Sequence, residues 1–426
     1  MTTASSSSSS VRIGQFLCFS LVWLSYCSTY FLRKPLGVVK SDMATDLNLG
    51  KSELGWCDTA LVLPYALVQI FFASLTDKYP PRHVLATCLF LAGLITWLTY
   101  SVLSAYLLGL WLGLALTGAL LAPCWPAATA SLSSWFPDDQ LNFIFGLINT
   151  ATYSGGLGGT ALAAAILEYS SWKDVGAIPA AIAVTVAGLV SHLLKAPVER
   201  GVTVPNKLLK VPDDVSKANN DSLLTIFKIS CVKELSVSMF CLKFVRYCMA
   251  MWLPLFLLEH LGYSKLQAGI FSTVFDVGGI IGSPLLGVLL DKYYLNNPLL
   301  GVTYTMLFGT IVITLFICTA NLGIGFNCLF LLLAGATNCG PDSMIAGSIS
   351  VNIGDRRGQG RGGAVTSFVN GVGNVGGIVE GPIIGFLWTL VGWDGVLLAL
   401  VGVSALGTIS TYKAFKLDKS SSLLPR

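Results

Sequence analysis

The sequence SLTDKY, at residues 74–79, returns in altered form as LLDKY at residues 289–293, which sets Asp77 against Asp291 at an offset of 214 residues. Three further matches follow in the same order, at offsets of 215 or 221 residues: Pro126 with Pro341, Asn149 with Asn370, and Trp172 with Trp393. Coincidence among apolar segments explains one such match but not four. The pattern indicates two copies of one structural unit, and an internal repeat of this kind is typical of membrane transporters.

The composition indicates a lipid environment. The chain has 426 residues, of which 54% are hydrophobic and 11% are charged, and its mean hydropathy is +0.72. An ordinary soluble domain has about 25% charged residues. The apolar runs are 20–30 residues long, which suits helices that cross a hydrocarbon core of about 30 Å rather than the short alternating strands of a barrel. The sequence therefore predicts an all-α membrane protein.

Polar breaks divide the apolar residues into twelve predicted spans, six on each side of a long polar segment. The predicted spans are 14–38, 54–75, 83–104, 106–135, 141–168, 175–195, 232–258, 263–290, 297–319, 324–352, 363–391 and 395–414. These define five parts of the chain: a disordered tail (1–13), a six-helix half (14–195), a central loop (196–231), a second six-helix half (232–414) and a C-terminal tail (415–426).

The basic residues predict the orientation of these spans. If the termini and the central loop share one side of the membrane, that side carries 18 of the 26 lysines and arginines, and the opposite loops carry four. Because loops rich in lysine and arginine stay in the cytosol, we expect both termini and the central loop there. The other four basic residues lie within spans: Arg33, Lys34, Lys243 and Arg246.

The loop sequence ASLTDKYPPR, at residues 73–82, resembles the signature of the major facilitator superfamily, Gly-x-x-x-Asp-Arg/Lys-x-Gly-Arg/Lys. The resemblance implies twelve transmembrane helices in two pseudo-symmetric halves. It also implies a charge–dipole contact between helix ends at the cytosolic face, which we assign to gating by the charged residues of both copies: Asp77, Lys78, Arg82, Asp291 and Lys292.

A narrower resemblance covers nearly the whole chain. The sequences YCSTYFLRK (26–34), LNLGKSELG (47–55), FVRYCMAMW (244–252), GPDSMIAGSISVNIGDR (340–356) and VNGVGNVGGIVEGP (369–382) are similar to those of the organophosphate:phosphate antiporters, especially the sugar-phosphate exchangers of eukaryotic endomembranes. The resemblance implies exchange of a phosphorylated sugar or glycerol phosphate for inorganic phosphate. It also implies a location in the endoplasmic reticulum membrane.

Two arginines are the main binding candidates. A charge at membrane depth costs about 2.5–3.5 kcal/mol on insertion scales, so Arg33 and Arg246 need a reason to be there. Arginine binds phosphate oxygens through paired, charge-assisted hydrogen bonds, and the resemblance places phosphate-binding arginines at both positions. The alternative is that each side chain extends to the lipid headgroups. Lys243, one helical turn before Arg246, is a further phosphate candidate.

Polar and aromatic residues near these arginines complete the predicted site. Tyr26 and Tyr30 share a helix face with Arg33 at spacings of four and seven residues, and the resemblance adds Tyr65; all three are predicted to bind the phosphate. Sugar contacts are assigned to Asn149, Asn370 and Gln69, although both asparagines could instead form hydrogen bonds between helices. Bacterial relatives carry lysine at the position of Gln69, which leaves the choice of substrate open.

Three acids lie within the predicted spans. The resemblance makes Asp276 a counter-ion for Arg246 or Lys243 in the empty state. Glu380 is expected near the non-cytosolic end of its helix and in contact with water. Asp342, which follows Pro341 at an expected helix break, receives no role.

The sequence predicts a transporter, with two alternatives left open: a proton-coupled organic-anion symporter that uses Asp276 or Glu380, and a non-transporting sensor of phosphate esters. The expected partners are a phosphorylated small molecule, inorganic phosphate and the lipid bilayer. No enzymatic activity is expected, because the spans carry no Ser/His, HExxH or paired-Asp motif. No metal is expected, because the cysteines and the three histidines show no ligand spacing, and no nucleic acid is expected, because the cytosolic lysines follow the topology rule. No cofactor is expected. The chain is expected to act as a monomer.

Overall fold

The computed structural model describes residues 2–49, 51–204, 223–357 and 360–422. Within these ranges the regular structure is entirely helical. The α-helices, numbered α1 to α18, are Thr2–Arg33, Pro35–Leu47, Lys51–Phe71, Leu75–Lys78, Pro81–Ser101, Leu107–Leu121, Cys124–Trp135, Leu141–Ile148, Thr150–Tyr169, Ala177–Leu193, Leu223–Lys228, Val232–Met251, Leu253–Glu259, Lys265–Tyr293, Pro298–Thr319, Ile324–Met344, Ser350–Arg357 and Gly362–Ser422. Most of the predicted central loop, residues 205–222, and the last four residues of the predicted C-terminal tail lie outside the described residues.

Eight helical segments in the described part of the chain are long and apolar enough to cross a membrane. They are Ser10–Lys40, Pro81–Ala105, Leu107–Trp135, Trp172–Leu193, Thr273–Tyr293, Pro298–Leu322, Ile324–Arg357 and Gly362–Lys419. A ninth is formed by α12 and α13 together, which meet at an angle of 47°. The bend follows Trp252, where Pro254 in the first turn of α13 lacks a backbone N–H for the preceding turn.

The remaining apolar helices are consistent with the twelve predicted spans. Trp56–Phe71 is a shorter apolar helix at the predicted second span, and α8 with α9 covers the fifth. The segment Gly362–Lys419 has 58 residues, about 87 Å of helix, and therefore exceeds one crossing of about 30 Å. Gly392 interrupts it with φ 65° and ψ −164°, a conformation open to glycine, so the eleventh and twelfth spans meet there.

The N-terminal segment differs from the prediction. Residues 2–13, expected as a disordered tail because of their low-complexity serine run, are continuous with α1 in the structure. Serine favours turns and caps because its hydroxyl competes for backbone hydrogen bonds, but its helix propensity is only moderately below that of alanine.

The chain contains two compact units, and each takes a short segment from the other half of the sequence. The first unit comprises Met1–Asp138, Thr150–Asn220 and Gly360–Ser367. The second comprises Asp139–Asn149, Asp221–Gln359 and Phe368–Arg426. The two units therefore do not coincide with the two predicted six-helix halves.

In each unit, the aspartate of the repeated loop sequence accepts hydrogen bonds from the segment that comes from the other half of the chain. In the first unit, the Asp77 carboxylate accepts hydrogen bonds from the backbone N–H groups of Gly363 and Ala364, at 3.0 and 2.8 Å, at the start of α18. In the second unit, Asp291 accepts bonds from the N–H groups of Asn142 and Phe143, at 3.3 and 2.8 Å, at the start of α8. A carboxylate satisfies the open donors of a helix N-terminus and complements its partial positive charge.

The neighbouring charges of the loop signature have other surroundings. Arg82 forms an ion pair with Glu199 at 2.8 Å, Lys78 is exposed, and the Lys292 ammonium lies 5.0 Å from the ring centre of Tyr293. The charge–dipole contact predicted for this motif is thus made by the two aspartates. A gating role for the five residues remains a prediction.

Glycines allow the close helix contacts of the second unit. A Cβ added at Gly287, the glycine of the second loop signature, would lie 2.5 Å from the carbonyl oxygen of Asn142. The Gly278-x-x-x-Gly282 sequence on α14 faces α16, where a Cβ at Gly282 would lie 2.3 Å from the Cα of Ala336. Small residues at this spacing let two membrane helices approach closely. They bring α14 against the helix that carries Asp342.

We expect Asp77→Ala to lower the free energy of unfolding of the detergent-solubilised protein by about 1 kcal/mol, because the substitution leaves two N–H groups of a helix N-terminus without their acceptor. Thermal unfolding followed by tryptophan fluorescence measures the effect. Asp42→Ala, which removes an exposed acid within α2, is the matched control and should leave the midpoint unchanged. Equal midpoints for Asp77→Ala and the wild type would contradict the capping role.

Candidate functional site

Arg33 lies in an aromatic pocket of the first unit. It occupies the last turn of α1, where the helix dipole favours a cation. Its guanidinium carbon lies 4.0 Å from the ring centre of Tyr65 on α3 and 5.6 Å from that of Tyr30 on α1. A guanidinium near the face of an aromatic ring is attracted by the ring's negative charge density. The structure thus brings together the arginine and two of the three predicted tyrosines.

Tyr26 extends the same pocket. Its ring centre lies 5.7 Å from that of Tyr30 and 4.7 Å from that of Trp125 on α7. Tyr26 and Tyr65 are 7% and 6% exposed, so both side chains are buried. Trp125 was not among the predicted site residues, although its position in PCWP, one of the repeat matches, marked the segment as unusual.

One nitrogen of the arginine has an unmet hydrogen-bonding requirement. Among the residues that the structure describes, the buried Nη2 of Arg33 has no hydrogen-bond partner. A buried donor without an acceptor costs about 1–3 kcal/mol, and more when the group is charged. The aromatic rings attract the positive charge, and Nη2 itself has no acceptor among the described residues.

Arg246 lies 213 residues after Arg33, in the second half of the sequence. It has a charged partner in the second unit. Its Nη1 donates to Oδ2 of Asp342 at 2.6 Å, which joins α12 to the last turn of α16. Asp342 is 5% exposed. Its other carboxylate oxygen, Oδ1, is buried and has no hydrogen-bond partner within the described ranges. No role for Asp342 could be predicted from the sequence, because its partner Arg246 lies on another helix, 96 residues away.

Lys243 lies on the same helix and contacts two amides. Its ammonium donates to the Oδ1 atoms of Asn370 and Asn374, at 2.6 and 2.7 Å. Both of these partners are uncharged amide oxygens, and Lys243 is buried. For Asn370, the structure shows the interhelical hydrogen bond that the sequence had left as one of two alternatives. A sugar contact by Asn370 remains a prediction.

The other predicted sugar-binding residues also bind protein groups. The Asn149 amide donates to the hydroxyls of Ser283 and Ser343, each at 3.2 Å. The Gln69 amide donates to the carbonyl oxygen of Ala122 at 3.0 Å, between α6 and α7. Lys34, next to Arg33, is exposed.

The two remaining acids have contrasting surroundings. Asp276 is exposed on α14, and its role as a counter-ion stays a prediction; the ion pair that the structure shows for Arg246 is with Asp342. Glu380 is 2% exposed and lies beside Cys248 and Trp252. The burial of Glu380 differs from the expected contact with water, because Cys248 of α12 and Trp252, just after that helix, lie against it. Its Oε1 has no hydrogen-bond partner in the part of the chain described.

The described residues contain no group of three or more His, Cys, Asp or Glu side chains that could hold a metal ion.

The Major Facilitator Superfamily model matches residues 22–379 and 235–425. The chain belongs to this superfamily. The glucose-6-phosphate exchanger SLC37A2 of Danio rerio is 25% identical over 454 residues, covering 93% of this chain and 91% of that protein. The putative glycerol-3-phosphate transporter 2 of Arabidopsis thaliana is 24% identical, covering 91% of this chain and 84% of that protein.

Solved structures show the same fold. A bacterial homologue of the iron transporter ferroportin matches with a TM-score of 0.70 and 14% identity, over 93% of this chain and 99% of that one. The fucose:proton symporter FucP of E. coli matches with a TM-score of 0.70 and 17% identity, over 97% of this chain and all (100%) of the symporter. The predicted fold class, an all-α membrane protein of the major facilitator fold, is therefore confirmed.

We expect Arg246→Met to lower the free energy of unfolding by about 3 kcal/mol, because it leaves the buried Asp342 carboxylate without its cation. The double variant Arg246→Met/Asp342→Asn should recover at least half of that loss, since it removes both charges together. Chemical unfolding of the detergent-solubilised variants measures both effects. A double variant that is as unstable as the sum of the two single variants would show that the two side chains do not interact.

Proposed function

We propose that this protein carries a phosphorylated sugar or glycerol phosphate across a membrane in exchange for inorganic phosphate, by alternating access. The observation that carries the proposal is the buried Nη2 of Arg33, a charged donor without an acceptor among the described residues, inside a wall of tyrosines. Membership of the superfamily and the names of the curated relatives, a glucose-6-phosphate exchanger and a glycerol-3-phosphate transporter, support it independently.

Phosphate is the anion that suits such a pocket. Its oxygens accept two parallel hydrogen bonds from one guanidinium in short, charge-assisted geometry. In a low-dielectric pocket the attraction between the two charges is much stronger than in water. The hydroxyls of Tyr26, Tyr30 and Tyr65 can donate further bonds to the same anion. Inorganic phosphate and a phosphate monoester share the group that is bound, so one site serves both substrates.

The proposed exchange follows from the charge of the empty protein. Without substrate, Arg33 is a positive charge within the spans, and its Nη2 has no acceptor in the described residues. Excluding this charge from water without a counter-charge is costly. A bound phosphate reduces that cost, so the loaded protein changes conformation more readily than the empty one. The aspartate caps at Asp77 and Asp291 are helix contacts that such a change can break and re-form.

The remaining parts of the proposal concern place and orientation. We assign the protein to the endoplasmic reticulum membrane, with both termini in the cytosol, on the basis of its resemblance to sugar-phosphate exchangers and of the lysine and arginine distribution. We further propose that it acts as a monomer and not as an enzyme. We propose that Arg246 and Lys243 also contribute to phosphate recognition.

Proteoliposomes test the proposal. In vesicles preloaded with phosphate, we expect the wild type to take up labelled phosphate, and uptake to depend on the internal phosphate. Arg33→Ala should reduce uptake by about 100-fold, the order expected when a charge-assisted bidentate contact is lost. Arg12→Ala removes an exposed arginine near the N-terminus and is the matched control. Unlabelled glucose 6-phosphate and glycerol 3-phosphate, added as competitors, identify the preferred substrate.

Two outcomes of this assay would contradict the proposal. Wild-type protein that shows no phosphate uptake, with or without internal phosphate, would exclude phosphate exchange. Uptake that persists in Arg33→Ala would show that the arginine pocket is not the phosphate site.

A separate prediction concerns the tyrosine ring that faces Arg33. Tyr65→Leu removes the ring that faces Arg33 and should raise the concentration of phosphate needed for half-maximal uptake by about tenfold, which corresponds to a desolvated cation–π contact. Tyr65→Phe keeps the ring and should have a smaller effect, equal to the contribution of the hydroxyl. Tyr79→Leu, at an exposed tyrosine, is the control. If both Tyr65 variants behave like the wild type, the ring is not part of the site.

A second candidate function is favoured by one observation. Glu380 is a buried carboxyl with an unpartnered oxygen in the described part of the chain, which is a reasonable carrier for a proton. We keep proton-coupled symport of an organic anion as the alternative. An imposed proton gradient distinguishes the two: it drives accumulation in a symporter and leaves one-for-one phosphate exchange unchanged.

A further inference from the structure

Arg33 and Arg246, which lie at similar places in the two halves of the sequence, differ in their hydrogen-bond partners. Arg33 has no hydrogen-bond partner for Nη2 within the described residues, whereas Arg246 is paired with Asp342. The repeat explains the difference. Pro126 corresponds to Pro341, so the residue that corresponds to Asp342 is Ala127, which is fully buried and has no charge to offer. Only the second copy of the repeat carries an acid at this position.

The Arg246–Asp342 pair does not have the form of a purely structural ion pair. Where Asp77 and Asp291 cap helices, both oxygens of each carboxylate accept hydrogen bonds. Asp342 is more deeply buried than Asp291, yet only its Oδ2 is bonded in the described residues. A buried charge with half of its acceptor capacity unused is an expensive way to stabilise a fold. A contact that has to break during function breaks more easily when it consists of a single hydrogen bond.

The backbone around Asp342 is also irregular. Pro341 lies inside α16 and removes a helical hydrogen bond immediately before Asp342. A π-helical turn, Ile345–Ile349, follows directly, and Gly347 within it has a non-helical conformation with φ −123° and ψ −108°. Wide turns of this kind occur often at functional sites, because they let a helix change its register locally. Asp342 thus lies between a proline and a π-helical turn, where the regular helical hydrogen bonding is interrupted.

We propose that Asp342 is an internal competitor of the substrate: its carboxylate occupies Arg246 while the transporter is empty and gives the guanidinium up when a phosphate binds. Arg246 is then a phosphate donor that becomes available only when Asp342 releases it. The inference rests on the proposed function, since it requires a phosphate-bearing substrate. It assigns a role in affinity to an acid for which the sequence predicted none.

Binding measurements on the purified full-length protein test this role. Asp342→Asn keeps the size of the side chain but removes the charge that holds Arg246. We expect it to bind labelled inorganic phosphate about tenfold more tightly than the wild type, because one charge-assisted hydrogen bond no longer has to be broken first. Glu234→Gln removes an acid about three turns earlier on the same helix as Arg246, and controls for the general loss of negative charge. Asp276→Asn tests the counter-ion that the sequence predicted.

The outcomes separate the inference from the proposed function. Wild-type protein that binds neither phosphate nor glucose 6-phosphate would overturn the proposed function and the inference together. Wild-type binding with an unchanged Kd in Asp342→Asn would overturn the inference alone, as would equal tightening in Glu234→Gln or tightening only in Asp276→Asn.

A second measurement covers the case in which Asp342→Asn does not fold. Infrared difference spectra of the wild type, recorded with and without phosphate, report the carboxylate stretching bands directly. Release of Asp342 from Arg246 predicts a shifted carboxylate band on phosphate addition. A phosphate-binding wild type without any carboxylate change would overturn the inference.

Discussion

A guanidinium group that is held away from water needs both negative charge and hydrogen-bond acceptors, because neither lipid nor apolar side chains supply them. Two helices of this protein carry such a group. Arg33 is surrounded by tyrosine rings and keeps one nitrogen without a partner in the described residues, whereas Arg246 is bonded to a buried aspartate. Under the proposed function, the phosphate group of the substrate supplies the acceptor that Arg33 lacks among the described residues.

Contacts with neighbouring helices hold these two arginine side chains in position. Arg33 is fixed by its position in the last turn of α1 and by the ring of Tyr65 on α3. Arg246 depends on α16, which lies close to α14 because glycines leave no side chain between them. The aspartates of the repeated loop bind helix N-termini that come from the other half of the sequence. Each compact unit therefore contains a contact that belongs to both halves of the chain.

The sequence predicted what depends on short distances along the chain. The span lengths follow from bilayer thickness, and the face shared by Tyr26, Tyr30 and Arg33 follows from the helical period. The repeat offsets marked Asp77 and Asp291 as equivalent. The resemblance, rather than any local pattern, supplied Tyr65, which lies on another helix.

Contacts between distant residues could not be predicted in this way. Asp77 binds a backbone group 286 residues away, and Asp342 binds an arginine 96 residues away. Nothing in their flanking sequence names these partners. Asn149 and Gln69 were assigned to the sugar from their positions in the repeat and in the resemblance, and the structure shows hydrogen bonds from them to two serine hydroxyls and a carbonyl oxygen. Their sugar contacts remain predictions. A polar side chain within a span therefore indicated a hydrogen-bonding site. Which group forms the bond depends on how the helices pack, and the sequence does not show that.

A structure of the wild-type protein in a lipid nanodisc with saturating inorganic phosphate, determined by electron cryomicroscopy, tests the central claim most directly. The account predicts a phosphate within hydrogen-bonding distance, about 2.9 Å, of Nη2 of Arg33, and separation of Arg246 from Asp342. A phosphate bound elsewhere, with Nη2 of Arg33 still unpartnered, would contradict the claim that this arginine binds the phosphate.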